Sequence, residues 1–216
     1  MNISEKELSY LKKHKYIAGI DEVGRGPLAG PLVVGIVVID LALAFSLIEN
    51  GIDDSKKISA KKREDIVQKF KNILPFCKVL RIDSHYIDQV GIHQCCIESI
   101  NKLIGSVSES VGVVIVDGLP YKGLMKTQKV NVEINADEKF ISVALASVIS
   151  KVYRDKIMID YAKTYPEYGF EKNKGYGTKF HLKALSEYGP CPIHRVSFRP
   201  VQKIVQLVKK DKQILR

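Results

Sequence analysis

The chain has 216 residues, 45% hydrophobic and 27% charged, and its 34 Lys and Arg against 24 Asp and Glu leave a net charge of +10. That balance suits a globular protein able to bury a core and excludes collagen-like, fibrous and disordered readings. The longest nearly unbroken apolar stretch, Pro31 to Ile39, is far below the roughly 18 to 20 residues that cross a bilayer, and the N-terminus alternates charges where a signal peptide would be apolar, so the expected location is cytoplasmic.

In chain order, Ser4-Glu5-Lys6-Glu7 is a capping-box pattern that opens a short helix to about Lys13, read as an appendage over residues 1–14. Tyr16 to Asp21 and Leu32 to Ile39 are rich in β-branched residues; the second run is apolar on both faces, as a central strand covered by helices would be. Between them lies a turn with three glycines and a proline, Gly24-Arg25-Gly26-Pro27-Leu28-Ala29-Gly30. After the loop Asp53-Asp54-Ser55-Lys56-Lys57, Ser59 caps a charged helix to about Ile73, and Phe76 to Ile82 reads as a strand. Ser84 to Ile104 has helical spacing, and Val111 to Val116 is a second fully apolar strand, followed by a loop with Lys122, Gly123 and Lys126. Lys129 to Ile134 alternates like an edge strand. Ile141 to about Tyr161 is a long helix whose first half is small and apolar all round, which predicts tight packing on the sheet. Helices near Lys179 to Tyr188 and Val201 to Lys210 complete a single α/β domain over residues 1–216, with a basic helical part from about 178 to 216. Nothing resembles an oligomerisation seam, which predicts a monomer. The cysteines at 77, 95, 96 and 191 lack Cys-x-x-Cys spacing and indicate neither a disulfide framework nor a zinc site.

The positive charge is concentrated: residues 151–216 hold 15 Lys and Arg against 6 Asp and Glu, while the rest of the chain is almost balanced. Such a block suits a polyanion, nucleic acid before membrane. Gly24-x-Gly26-x-x-Ala29 formally matches a dinucleotide fingerprint, but Pro27, Pro31 and the β-type run after them leave no helix to receive a pyrophosphate. A different chemistry is indicated by acids at strand ends. Asp21 and Glu22 close the first strand, Asp117 closes an otherwise uncharged one, and Asp137 precedes the small-residue helix. Adjacent strand residues point to opposite faces, so Asp21 and Glu22 share a pocket only if the strand distorts or ends there. Carboxylates repel phosphate, and a divalent metal removes that contradiction. Two Mg²⁺ or Mn²⁺ ions held by carboxylates would activate water and stabilise a leaving oxygen at a scissile phosphate.

The run Ile20-Asp21-Glu22-Val23-Gly24-Arg25-Gly26-Pro27-Leu28-Ala29-Gly30-Pro31 resembles the signature of the type 2 ribonucleases H, specifically the bacterial ribonuclease HII family. Asp54-Ser55-Lys56-Lys57, Val116-Asp117-Gly118, the segment Ala146 to Asp155, Tyr165 to Phe170 with Lys174 to Thr178, and His194-Arg195-x-Ser197-Phe198 match in order. The resemblance implies an RNase H-like mixed sheet flanked by helices with a helical C-terminal extension. It also implies an endonuclease that cuts RNA in RNA/DNA hybrids and 5′ to single ribonucleotides in duplex DNA, leaving 5′-phosphate and 3′-hydroxyl ends. Asp21, Glu22, Asp117 and Asp137 would hold the metals, with Glu138 beside Asp137 as the alternative fourth acid. Gly24, Arg25 and Gly26 would grip the nucleotide at the RNA to DNA junction, and Tyr176 would sense its 2′-hydroxyl. Ser55, Lys56 and Lys174 are expected near phosphates, and Lys179, Lys183, Arg195 and Arg199 along the duplex backbone. Asn173 stands where the family often has His.

Overall fold

The computed structural model of the chain describes residues 1–118, 122–125 and 129–214, the last seven by backbone alone; Lys126 lies outside them. They fall into two compact units. The first comprises Met1–Val23, Val33–Leu80 and Cys96–Val152, the second Gly24–Leu32, Arg81–Cys95 and the chain from Tyr153.

The first unit carries a five-stranded sheet in the order β3-β2-β1-β4-β5, formed by β1 (Tyr16–Val23), β2 (Leu32–Ile39), β3 (Phe76–Ile82), β4 (Val111–Asp117) and β5 (Val130–Glu133). It is mixed: β1 runs antiparallel to β2 and parallel to β4, which is parallel to β5. Every residue of β2 is buried, as its unbroken apolar run predicts, and β5 is half-buried throughout, as an edge strand should be. β1 extends two residues beyond its predicted end because Glu22 and Val23 still pair with Val34 and Val33. Asp21 and Glu22 therefore still pair with β2 but lie past the last β1–β4 pair, Ile20 with Val116, where the strand is ending.

The helix α6 (Ile141–Thr164) lies directly on this sheet through its small-residue half. A Cβ on Gly19 would stand 2.3 Å from the Ser142 carbonyl carbon, and one on Gly35 2.3 Å from the Ser150 hydroxyl, so only glycine in β1 and β2 admits the helix this closely. Its N-terminus is capped from far away in sequence. In α1 (Glu5–Lys13) the fully buried Glu7 accepts from the Ile141 N–H at 2.7 Å, the Ser142 N–H at 3.0 Å and the Ser142 hydroxyl at 2.8 Å. The first helix is thus a cap built into the first unit and not an appendage, because three donors at a helix start need a carboxylate.

Two other elements depart from expectation. The run after Asp40 forms α2 (Leu41–Glu49), unread in the sequence because its Leu-Ala-Leu-Ala-Phe pattern has no polar face; Asp40 starts it by accepting from the Leu43 N–H at 2.8 Å. The stretch predicted as one helix from 84 to 104 breaks at Gly91, φ 85°, into α4 (Ser84–Val90) and α5 (Ile92–Ile104). Between α2 and β3, α3 (Ala60–Phe70) is capped by Ser59 as predicted.

The second unit has its own core of Leu28, Met158, Tyr168, Phe170, Leu185 and Val201, drawn from the glycine-rich turn, the end of α6, the 3₁₀ turn Pro166–Tyr168, α7 (Phe170–Asn173), α8 (Lys179–Tyr188) and α9 (Arg199–Ile214). Tyr168 and Phe170 stack at 5.3 Å, and His181 meets both rings edge-on. Among the described residues no helix is long and apolar enough to cross a membrane.

Candidate active site

In the first unit the four predicted acids come from the neighbouring strands β1 and β4 and from the 3₁₀ turn that follows β5. Asp21 lies opposite Gly35 in the β1–β2 ladder and is 5% exposed. Burial, then the Glu22 charge, holds its carboxyl well above the ordinary carboxylate range; a hydrogen bond from Ser147 opposes this, and Asp117 and Asp137 add further repulsion. Asp117 ends β4 and accepts from the Ala136 N–H at 2.6 Å, and burial raises its carboxyl as well. That bond fixes the 3₁₀ turn Ala136–Glu138, entered through Asn135 in the left-handed region at φ 53°. The turn divides the two candidate fourth acids. Asp137 is buried and pairs with the Lys56 ammonium at 3.2 Å, while Glu138 is exposed and pairs with Lys57 at 3.7 Å.

Three carboxylates that each raise the charge cost of a fourth, on a strand with no cation of its own, form an all-oxygen donor set suited to a hard divalent ion. Among the described residues no three His, Cys, Asp or Glu side chains already stand as a metal-holding group. Mutual repulsion opposes such a closure, and Lys56 offsets part of it at Asp137. Ser55, expected near phosphate, is buried with its hydroxyl 2.9 Å from that of Ser147, so it steadies the residue that supports Asp21 and offers nothing to a phosphate.

The second unit gathers Gly24, Arg25, Gly26, Lys174 and Tyr176. Gly24 has φ 99°, and a Cβ there would stand 2.4 Å from Arg154 Nε and 2.8 Å from the Pro31 carbonyl oxygen, so no other residue fits. A Cβ on Gly26 would lie 3.8 Å from the Tyr176 ring, and that ring is 45% exposed. The two loops are stitched together by the Leu28 N–H donating to the Gly175 carbonyl at 2.8 Å. Asn173 shapes the Tyr176 loop, donating to the Tyr168 carbonyl at 2.6 Å and accepting from the Gly175 N–H at 2.8 Å. The Tyr176 carbonyl accepts from His181 Nδ1 at 2.8 Å. Lys174 folds its ammonium back onto the Glu171 carbonyl. Lys179, Lys183 and Arg199 are exposed.

Arg195 is a correction. The sequence suggests a phosphate contact, but the side chain is fully buried and its guanidinium donates to the carbonyls of Gly24, Arg25 and Gly30. Arg154, also fully buried, grips the same turn, and nothing in its helical context distinguishes it from an exposed arginine.

The family model for Ribonuclease HII matches residues 18–201. The Ribonuclease HII of Clostridium tetani is 47% identical over 184 residues, covering 84% of this chain and 67% of that protein. That of Bacillus velezensis is 41% identical over 197 residues, covering 91% and 74%. Among solved structures, the ribonuclease H2 from Pyrococcus horikoshii OT3 superposes with a TM-score of 0.78 at 29% identity, over 90% of this chain and 99% of that one.

Proposed function

The chain belongs to the ribonuclease HII family, and from that membership we propose that it cuts the RNA strand of RNA/DNA hybrids and nicks duplex DNA on the 5′ side of a single embedded ribonucleotide. It is a ribonuclease H, a metal-dependent hydrolase. The observation that carries the finer reading is the buried Asp21 under the combined repulsion of Glu22, Asp117 and Asp137. Such a cluster is stabilised by cations and by little else.

Asp21, Glu22, Asp117 and Asp137 would hold two divalent ions, Mn²⁺ or Mg²⁺, with Asp137 in place of Glu138 because Asp137 is buried, as Asp21 is, while Glu138 is exposed. Bound there, the ions supply positive charge that makes water a nucleophile at neutral pH and offsets the charge on the departing oxygen. Glu22 and Asp117 orient the attacking water by accepting its hydrogens. Asp137, paired with Lys56 at 3.2 Å, would give up that partner on holding the ions, and the Lys56 ammonium would then be available to phosphate. In the second unit, the Gly24-Arg25-Gly26 backbone approaches the sugar closely because Gly26 carries no Cβ on the side of the Tyr176 ring, and that exposed ring lies against the 2′-hydroxyl and the next deoxyribose. Two of the acids, Asp21 and Glu22, and this turn follow one another in the chain, from Asp21 to Gly26. The products are a 5′-phosphate on the ribonucleotide and a 3′-hydroxyl upstream. The same reading has the enzyme work as a monomer in the cytoplasm.

The test is cleavage of a labelled DNA duplex with one ribonucleotide, beside the all-DNA duplex, in Mn²⁺, in Mg²⁺ and in EDTA. A single metal-dependent cut 5′ to the ribonucleotide, with all-DNA intact, is expected. Cutting of both duplexes, or binding without cutting, would overturn the reading.

A further inference from the structure

Two arginines lie completely buried behind the glycine-rich turn of the second unit. Arg154 donates from Nε to the Pro31 carbonyl at 2.9 Å, from Nη2 to Ala29 at 3.1 Å and from Nη1 to Lys174 at 2.9 Å. Arg195 donates from Nε to Gly30 at 3.0 Å, from Nη1 to Arg25 at 3.0 Å, and from Nη2 to Gly24 at 2.7 Å and to Gly30 at 2.9 Å. Every one of these acceptors is a backbone carbonyl. Between them the two guanidiniums hold both ends of the segment from 24 to 31, and Arg154 ties it to the residue two before Tyr176.

The arrangement is costly, which argues for a purpose beyond packing. Burial pushes Arg154 down to about 10 and Arg195 to about 9, and the Arg154 charge adds to the burden on Arg195. Apolar side chains of similar volume usually fill such space with equal or better stability, so a buried ionic device contributes geometry more than stability. A planar fork with five donors holds several carbonyls in one fixed geometry, which the three rotatable donors of a lysine on its flexible stem do not.

Peptide planarity supplies the consequence. In a trans peptide the C=O and the following N–H point in opposite directions. The carbonyls of Gly24 and Arg25 point at Arg195, so the N–H groups of Arg25 and Gly26 are aimed away from it. A cation behind such peptides aligns their dipoles with the positive end outward, a nest for oxygen acceptors.

We propose that Arg154 and Arg195 are positioning residues that preset the N–H groups of the Gly24–Gly26 turn toward a ribose or phosphate oxygen, so that selection of the ribonucleotide depends on two side chains that never touch the substrate. The proposal rests on the reading that this turn grips the ribonucleotide.

Arg195→Lys and Arg154→Lys test it, because each keeps the charge and discards the fork. With Mn²⁺ and the one-ribonucleotide duplex, KM should rise about tenfold or more while kcat changes less than about threefold. The salt dependence of binding should keep its slope, since no charge is lost. Wild-type KM in both variants, or a fall in kcat at unchanged KM, would overturn the proposal. Should the variants not fold, the wild-type protein decides: the Nε–H groups of Arg154 and Arg195 should exchange with water about a hundredfold more slowly than that of exposed Arg199. Equal exchange would overturn the clamp. If the wild-type protein fails to cut the one-ribonucleotide duplex at all, the proposed function falls, while the exchange measurement still judges the clamp.

Discussion

Each unit of this protein buries charge of a single sign, and the two do so differently. In the first, Asp21 is surrounded by Glu22, Asp117 and Asp137, which repel it; Ser147 and Lys56 offset only part of that repulsion. In the second, Arg154 and Arg195 are just as deep and also repel one another, yet their donors meet carbonyls in fitted geometry. The acids remain strained by their neighbours, whereas the arginines are matched by theirs. A strained like-charge cluster is one that a counter-ion from outside would complete, and a matched one is architecture. Glu7 sharpens the lesson inside the first unit: it is as buried as Asp21, but three donors from Ile141 and Ser142 complete it.

The largest effect should come from removing charge at the strained cluster. Asp21→Asn and Asp117→Asn should lower single-turnover cleavage about a thousandfold or more, while urea unfolding shows stability unchanged or raised. Full activity in either would dissolve the distinction drawn here. At the matched cluster the sign of the stability effect reverses: Arg195→Ala strands the buried carbonyls of Gly24 and Gly30 and should cost roughly 3 kcal/mol in the same unfolding assay. Glu7→Ala should behave like the arginine and not like Asp21, costing about 2 kcal/mol by uncapping α6.

Acid should separate the two units as well. His194, beside His181 in the second unit, is pushed by burial and then by its neighbour from 6.5 down to about 4. A lowered histidine means that the unfolded chain takes up its proton first, so its contribution is complete above pH 6.5 and is lost as pH falls toward 4, on the order of 3 kcal/mol. Asp21 has the opposite sign. Its raised carboxyl takes up a proton sooner in the folded state, so the first unit loses stability as pH rises through that raised value. Amide exchange followed from pH 7 to pH 4 should show α8 loosening while β1 does not; parallel loosening would erase the contrast.

Much of the fold was legible because it rests on local pattern. The apolar runs of β2 and β4 are long enough to declare buried strands, Ser59 announces its helix, and the small residues of α6 anticipate close packing. What escaped has either no polar face, like α2, or a break decided by one glycine, like Gly91. The acids were legible because a carboxylate beside an apolar strand is conspicuous in one dimension. Arg154, Arg195, Glu7 and Ser55 were not.

The sequence by itself determined the strands and the glycine-rich turn, since each depends on residues within a few positions of one another. Tertiary structure alone decided which charges are buried and what meets them: that Asp137 and not Glu138 faces inward, that Glu7 caps a helix 134 residues away, and that Arg195 reaches carbonyls 165 to 171 residues distant. A charged side chain reads the same in sequence whether water or a carbonyl satisfies it. Only the packing that removes the water tells them apart.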